Sequence, residues 1–348
     1  MRGVARLKRW FRRAVAPLRP GAVILLYHRV AKVPSDPQLL CVRPQHFAEH
    51  LTVLRESYTV LGLEGLHQRL EEGQLPRRAV VITFDDGYAD NFYRARSLLE
   101  EYETPATMFI TTGYIGGDRE FWWDEVERIF LQPGRLPETL RLRINGRTYE
   151  WNLGTTALYS EEEYRRWRGW SVNVREVPTP RHHVYRSLCD LLRPLGGAER
   201  EQILGTLRLW AGEGGEGRSS HRILSPEEIV ALSRSDLVDI GAHTVTHPLL
   251  SALPPSEQAR EIGQSKAHLE EILGHEVRTF SYPYGSRSAY TEATVALVRE
   301  AGFVFACSNF PGVVRRRTNS FELPRMLVRD WDGEEFARKL RGFFHGSP

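Results

Sequence analysis

The run Val80-Val81-Ile82-Thr83-Phe84 ends abruptly in Asp85-Asp86-Gly87, and no other stretch constrains the fold of this chain as strongly. A short β-branched apolar run reads as a buried strand, and the glycine permits the sharp turn that stops it. Two acids are thereby held at a strand's carboxyl end, where parallel α/β folds place their active sites. Adjacent carboxylates in a partly dry pocket repel each other, and a metal ion is the simplest compensation. Asp-Asp-Gly is also an ordinary turn, so this segment alone leaves both readings open.

A second constellation sharpens the choice. Val238-Asp239-Ile240-Gly241-Ala242 is another short apolar run, and it leads into His243-Thr244-Val245-Thr246-His247-Pro248. On one helical turn, positions i and i+4 share a face, so both imidazoles would point at one ion. Pro248 discourages continuation of that turn. Two histidines and a carboxylate delivered from elsewhere form a Zn²⁺ ligand set that leaves a position open for water. The third piece is Phe280-Ser281-Tyr282-Pro283-Tyr284-Gly285, a strand-end turn with aromatics around a proline. Alone it is a plain aromatic turn.

Taken in order, Thr83-Phe84-Asp85-Asp86-Gly87, His243-Thr244-Val245-Thr246-His247-Pro248 and Tyr282-Pro283-Tyr284-Gly285 resemble the motifs of the polysaccharide deacetylases, the NodB-homology family also called carbohydrate esterase family 4. The resemblance covers about residues 21–115 and 223–343. It implies an α/β fold, a distorted (β/α) barrel with fewer than eight strands. It also implies metal-dependent removal of N-acetyl groups from an amino sugar in a polysaccharide, oligosaccharide or glycolipid. Some relatives cleave other non-peptide C–N bonds, in small amides or cyclic imides, and an inactive carbohydrate-binding homologue is the remaining alternative.

By the same resemblance, Asp86, His243 and His247 would hold a divalent metal, most simply Zn²⁺, and Asp85 would be the general base. A bound metal polarises the amide oxygen and lowers the pKa of water toward ~7, where a carboxylate can take its proton. The Tyr284 N–H would help bind the oxyanion. The family's usual acid histidine, in a Leu-x-His motif near the C-terminus, is missing here, and His345 lies almost at the last residue. His28 closes the apolar run Val23-Ile24-Leu25-Leu26-Tyr27, as in permuted members whose acid histidine comes from the opening strand. Where the family often has an arginine before the third motif's proline, Ser281 stands. Arg325 is the expected substitute for orienting Asp85, with Arg278 as a rival. Asp330-Trp331 only faintly echoes a fourth motif.

With 348 residues, the chain can bury one large barrel core plus an insertion. Cys41, Cys189 and Cys307 are far apart and odd in number, so neither a disulfide framework nor a thiolate zinc site is indicated. The net charge of +3 is unevenly spread: residues 1–20 carry seven Lys or Arg and no acid. Wound as a helix, Val4, Leu7, Trp10, Phe11, Ala14, Val15 and Leu18 form one apolar face opposite most of the cations. Such a segment suits peripheral contact with an anionic membrane through residues 1–18, or docking on the barrel. No signal peptide is evident, which points to a cytoplasmic location, at the membrane surface if the helix binds lipid. An N-acetylated glycan or glycolipid is the expected partner, and nucleic acid is not.

Four segments are expected: the basic amphipathic stretch 1–20, barrel parts at 21–115 and 223–348, and an insertion at 116–222. The insertion reads as mainly helical with a β-hairpin turning at Asn145-Gly146. Helices are expected near Trp122 to Leu131, Ser160 to Arg168, Arg181 to Leu192 and Ala198 to Trp210. The glycine-rich run 212–217 reads as a flexible joint. Six of the eight tryptophans fall in the insertion, where most would fill its own small core while some could stack on sugar rings. His182-His183 has no matching acid or thiol nearby and reads as surface.

Overall fold

The computed structural model describes residues 20–214 and 216–345, so the amphipathic helix expected over residues 1–18 lies outside the described residues. Seven parallel strands build the central sheet: β1 (Ala22–Tyr27), β2 (Ala79–Phe84), β3 (Ala106–Ile110), β4 (Val238–Ala242), β5 (Thr279–Ser281), β6 (Phe305–Cys307) and β7 (Arg325–Leu327). Their spatial order is β6-β5-β4-β3-β2-β1-β7, with a two-residue strand, Thr59–Val60, added beside β2. The ends nearly meet, because Leu323 N donates to Ala306 O and Ser308 N to Leu323 O, each at 2.9 Å. The wall is therefore a distorted (β/α) barrel with one seam and fewer than eight strands around it.

Every residue of β1 and β2 is buried, which explains their unbroken apolar runs: a parallel strand is covered on both faces. The pleat divides them. Val23, Leu25, Tyr27, Val80, Ile82 and Phe84 join one core cluster, while Ala22, Ile24, Ala79 and Val81 join another. Helices alternate with the strands: α1 (Pro44–Ser57), α2 (Leu63–Glu71) and α3 (Arg96–Glu101) in the first part. A π-helical turn, Asn91–Ala95, leads into α3. In the second part come α8 (Pro226–Ser233), α9 (Pro255–Leu273), α10 (Glu292–Glu300) and α11 (Gly333–Phe344), numbered after four helices of the intervening block. Ser225 caps α8 through the reciprocal Ser225–Glu228 box, with Pro226 at the first helical position.

The block between β3 and α8 contains α4 (Trp122–Leu131), α5 (Glu161–Trp167), α6 (Pro180–Leu192) and α7 (Gly197–Ala211). Its hairpin pairs Thr139–Ile144 with Arg147–Asn152, and Asn145 and Gly146 both take positive φ, as a type I′ turn requires. The block has its own core, with Phe121, Trp122, Phe130, Leu142, Tyr185, Leu188 and Leu207 in one cluster. Arg181, buried at the start of α6, donates to five backbone carbonyls, those of residues 130, 132, 134, 156 and 157. The expectation of a surface His182-His183 pair holds for His183 alone. His182 turns inward with Arg181 and Val184, its Nδ1 is 2.8 Å from Thr179 Oγ1, and its ring packs 4.9 Å from Trp170. Burial, rather than an acid or thiol neighbour, decided its environment. Among the described residues no helix is long and apolar enough to cross a membrane.

Candidate active site

The carboxyl ends of β1, β2, β4 and β5 deliver His28, Asp85, Asp86, His243 and, just beyond, Tyr284 to one cavity of about 440 Å³. His247 completes the group. Parallel strands point their carboxyl ends to one rim, so residues distant in sequence meet there for a topological reason.

Asp86, His243 and His247 are all buried, and one donor atom from each lies within 4.8 Å of the other two. Asp86 Oδ1 is 3.6 Å from His243 Nε2 and 3.5 Å from His247 Nε2. These separations are too long for hydrogen bonds and short enough for three donors to share one cation. The buried Asp86 Oδ1 has no hydrogen-bond partner among the described residues. Burial and the neighbouring Asp85 charge push the Asp86 carboxyl well above its ordinary range. A cation answers both costs. His243 Nδ1 lies 2.7 Å from the Ser281 carbonyl, to which it donates, so its Nε2 lone pair is turned toward Asp86. The residues present thus fit a divalent metal, and two nitrogens with one oxygen suit zinc.

The two histidines do not share the helical turn that their i, i+4 spacing predicts. Residues 243–247 follow β4 as a tight irregular turn in which Thr244 (φ +65°) and His247 (φ +53°) are left-handed. Thr244 Oγ1 accepts from His247 N at 3.1 Å and donates to His243 O, so local hydrogen bonds replace a helical ladder. Asp86 (φ +77°) and Tyr284 (φ +60°) are also left-handed, so four of the eight such non-glycine residues among those described belong to this site. Strain of this kind persists only where the surroundings over-determine it.

Two residues that no motif flagged hold that turn. Glu261, buried on α9, accepts from Val245 N at 2.9 Å, Thr246 N at 2.8 Å and Thr246 Oγ1 at 2.8 Å. From α7, buried Arg200 donates to the Thr246 carbonyl and lies over the Trp122 ring. Gly197 approaches so closely that a Cβ there would come within 2.7 Å of Thr246 Oγ1. Glu261 stands in the stripe Gln258, Ile262, Ser265, Leu269 that α9 buries, and an acid within such a stripe was the one available signal.

Asp85 lies next to the triad and is held from the other side. Arg325, fully buried on β7, donates Nη1 to Asp85 Oδ1 and Nη2 to Asp85 Oδ2, each at 2.7 Å. Its Nε donates to Ser308 O at 2.6 Å. Ser281 Oγ donates to Asp85 Oδ2 at 3.1 Å and accepts from Arg325 Nη2 at 2.8 Å. Burial pushes the Asp85 carboxyl up, but Arg325 foremost, then His243, draw it down to about 2. The rival Arg278 is exposed and paired with Glu64 at 2.6 Å. Asp330 and Trp331 serve α1 instead, Asp330 accepting from Arg43 and Trp331 O lying 2.8 Å from His50 Nε2.

His28 lines the cavity and makes no hydrogen bond among the described residues. Burial lowers its imidazole to about 3, against the opposing pull of Asp85. His345 caps α11 and does not line this cavity. The Tyr284 N–H makes no hydrogen bond among the described residues, and its ring lies 4.8 Å from that of His247. Of the tryptophans in the block, Trp122 and Trp123 reach the cavity wall while remaining in the block's core.

Comparison with known proteins agrees with this fold. The polysaccharide deacetylase family model matches residues 72–133 and 205–306, leaving out most of the block between β3 and α8. Over 88 residues the chain is 32% identical to the poly-beta-1,6-N-acetyl-D-glucosamine N-deacetylase of Escherichia coli K12. That match covers 25% of this chain and only 13% of the E. coli protein's length. Two solved structures share the fold along nearly the whole chain. IcaB from Ammonifex degensii is similar with a TM-score of 0.57 at 18% identity, covering 93% of this chain and 98% of that one. The Streptococcus pyogenes deacetylase PplD, in complex with acetate, is similar with a TM-score of 0.56 at 17% identity, covering 92% and 99%. At such identities the likeness speaks for the fold alone. On its ordered motifs, its barrel and the family match over residues 72–133 and 205–306, the chain contains a polysaccharide deacetylase domain.

Proposed function

We propose that this protein is a metal-dependent hydrolase that removes N-acetyl groups from an amino sugar in a polysaccharide, oligosaccharide or glycolipid. One observation carries the reading: the unpartnered Asp86 Oδ1 faces two histidine nitrogens at 3.5 and 3.6 Å, beside a carboxylate that Arg325 keeps ionised. Asp86, His243 and His247 would hold the ion, Zn²⁺ by its donor set. When bound, the ion would polarise the acetyl carbonyl and supply an acidic water.

The chain's own residues do the rest. Asp85 accepts the water's proton, its two oxygens oriented by Arg325 and Ser281. The free Tyr284 N–H donates to the oxyanion of the tetrahedral intermediate, a contact worth about 3 kcal/mol when well aimed. His28 protonates the leaving nitrogen. Burial opposes a charged imidazole there, so His28 takes its proton only when negative charge develops on the substrate. Trp122 and Trp123 offer apolar faces to a sugar ring.

The test is acetate release from N-acetylglucosamine oligomers, with and without a chelator. Asp85→Asn should lose turnover by at least about a hundredfold while metal content stays at wild-type level. Full activity in Asp85→Asn, or in chelated protein shown to be metal-free, would reject the reading.

A further inference from the structure

We propose that the substrate carries an oxyanion close to its N-acetyl group, a phosphate or a carboxylate, and that Arg193 and Arg329 bind it at the mouth of the cavity. The inference rests on the deacetylase reading above and narrows its substrate class. Among the described residues three guanidiniums line the cavity, those of Arg186, Arg193 and Arg329, and one exposed acid, Asp190, lines it with them. The deeper carboxylates are committed: Asp85 is forked by Arg325, and Asp86 belongs to the metal triad.

Arg186 has a structural use. It donates to the carbonyls of Val172, Val174 and Arg175 and stacks on Trp170, which fixes α6 to the preceding loop. Arg193 and Arg329 differ. Arg193, just past α6, is exposed and lies 4.4 Å from the ring centre of Tyr284, beside the turn expected to bind the oxyanion. Arg329, two residues past β7, is half-buried near His28 and donates to the carbonyls of Gln38 and Leu39. Neither pairs with a carboxylate among the described residues, and residues 1–19, 215 and 346–348 contain no acidic side chain.

Burying part of a guanidinium without a counter-charge costs free energy that an anion on the substrate would offset. Burial indeed lowers the Arg329 guanidinium below its ordinary value, opposed only by Asp36. A neutral glycan gives these two cations no partner. The planar fork of arginine matches both carboxylate and phosphate oxygens. One cation comes from the block between β3 and α8 and the other from the barrel, so a bound anion would bridge them.

Calorimetric titration of the metal-loaded protein with N-acetylglucosamine 1-phosphate, N-acetylmuramate and neutral N-acetylglucosamine reads the site without turnover. At least one anionic sugar should bind about tenfold more tightly than the neutral one, and which one does separates phosphate from carboxylate. That preference should shrink toward unity in Arg193→Gln and Arg329→Gln, while anion bound at the metal would keep it in both. Arg193 is exposed, so its variant folds even if Arg329→Gln does not. Equal binding of all three sugars, or a preference untouched in Arg193→Gln and any folded Arg329→Gln, overturns the proposal. Acetate release from oligomers bearing these groups is followed in parallel. Its absence from every substrate, with the anion preference intact, would count against the deacetylase reading and not against the anion site.

Discussion

Arg325 holds both oxygens of Asp85, Nη1 on Oδ1 and Nη2 on Oδ2, each at 2.7 Å across 240 residues of chain. Both partners are buried, so the fork is not screened by water. It leaves Asp85 ionised beside a second carboxylate and aims it at the cavity. Arg325→Lys keeps the charge but loses the fork. We expect turnover to fall at least about tenfold with metal content unchanged, because a point charge cannot orient both oxygens. Kinetics with metal analysis checks this, and wild-type turnover in Arg325→Lys would remove the orienting role. The buried partner left imperfectly paired should also lower the melting temperature.

Metal removal should be visible in stability as well as in activity. A ligand that binds only the folded state stabilises it by about 2.7 kcal/mol at a hundred times its Kd. Chelation should therefore lower Tm, and added Zn²⁺ should restore it. In Asp86→Asn both effects should vanish. A Tm indifferent to chelator and zinc would argue that no ion is bound at the triad.

Glu261 should affect metal affinity through the turn it holds. Replacing it with Gln removes the charge and leaves one amide oxygen where Val245 N, Thr246 N and Thr246 Oγ1 use two carboxylate oxygens. Loss of such a supporting group typically costs about 10- to 100-fold in metal affinity. Competition with a chromophoric chelator measures this directly. An unchanged affinity in folded Glu261→Gln would mean that the left-handed turn is stable without it.

His28→Gln should separate proton delivery from metal binding. Removing a general acid costs on the order of 10²- to 10⁴-fold, and zinc content should hold. His345→Gln, at the end of α11, is the control and should retain turnover. An equal loss confined to His345→Gln would reverse the assignment.

Acid stability should depend on His50. This buried residue of α1 hydrogen-bonds Tyr27 Oη and the Trp331 carbonyl and stacks on Phe336 at 4.1 Å. Burial lowers its imidazole from 6.5 to about 4. Above pH 6.5 both folded and unfolded forms are neutral, so no penalty exists. Between pH 6.5 and about 4 the unfolded chain takes up a proton that the folded one refuses, and stability falls by up to about 1.4 kcal/mol per pH unit. Chemical denaturation across that window should show a shallower slope in His50→Gln. Parallel slopes would show that His50 does not titrate this way.

The ordered motifs already carried the family, the strand-end placement of Asp85, Asp86 and His28, and the insertion's hairpin, because each is a local pattern of apolar period and turn residue. The spacing of His243 and His247 brings both beside Asp86, but through an irregular turn and not a helical one. Left-handed φ at Thr244 and His247 leaves no mark in side-chain periodicity. The inward turn of His182 leaves no local mark, because the Trp170 ring that packs on it comes from the segment before α6.

By itself, then, the sequence determined which residues have side chains able to bind an ion or move a proton and which of them stand at strand ends. Only the tertiary structure decided that Arg325 rather than Arg278 serves Asp85, that Glu261 and Arg200 brace the histidine turn, and that Arg193 and Arg329 face one cavity. Those are contacts between segments far apart along the chain. They depend on the order in which parallel strands pack around the barrel, and local propensity holds no record of that order.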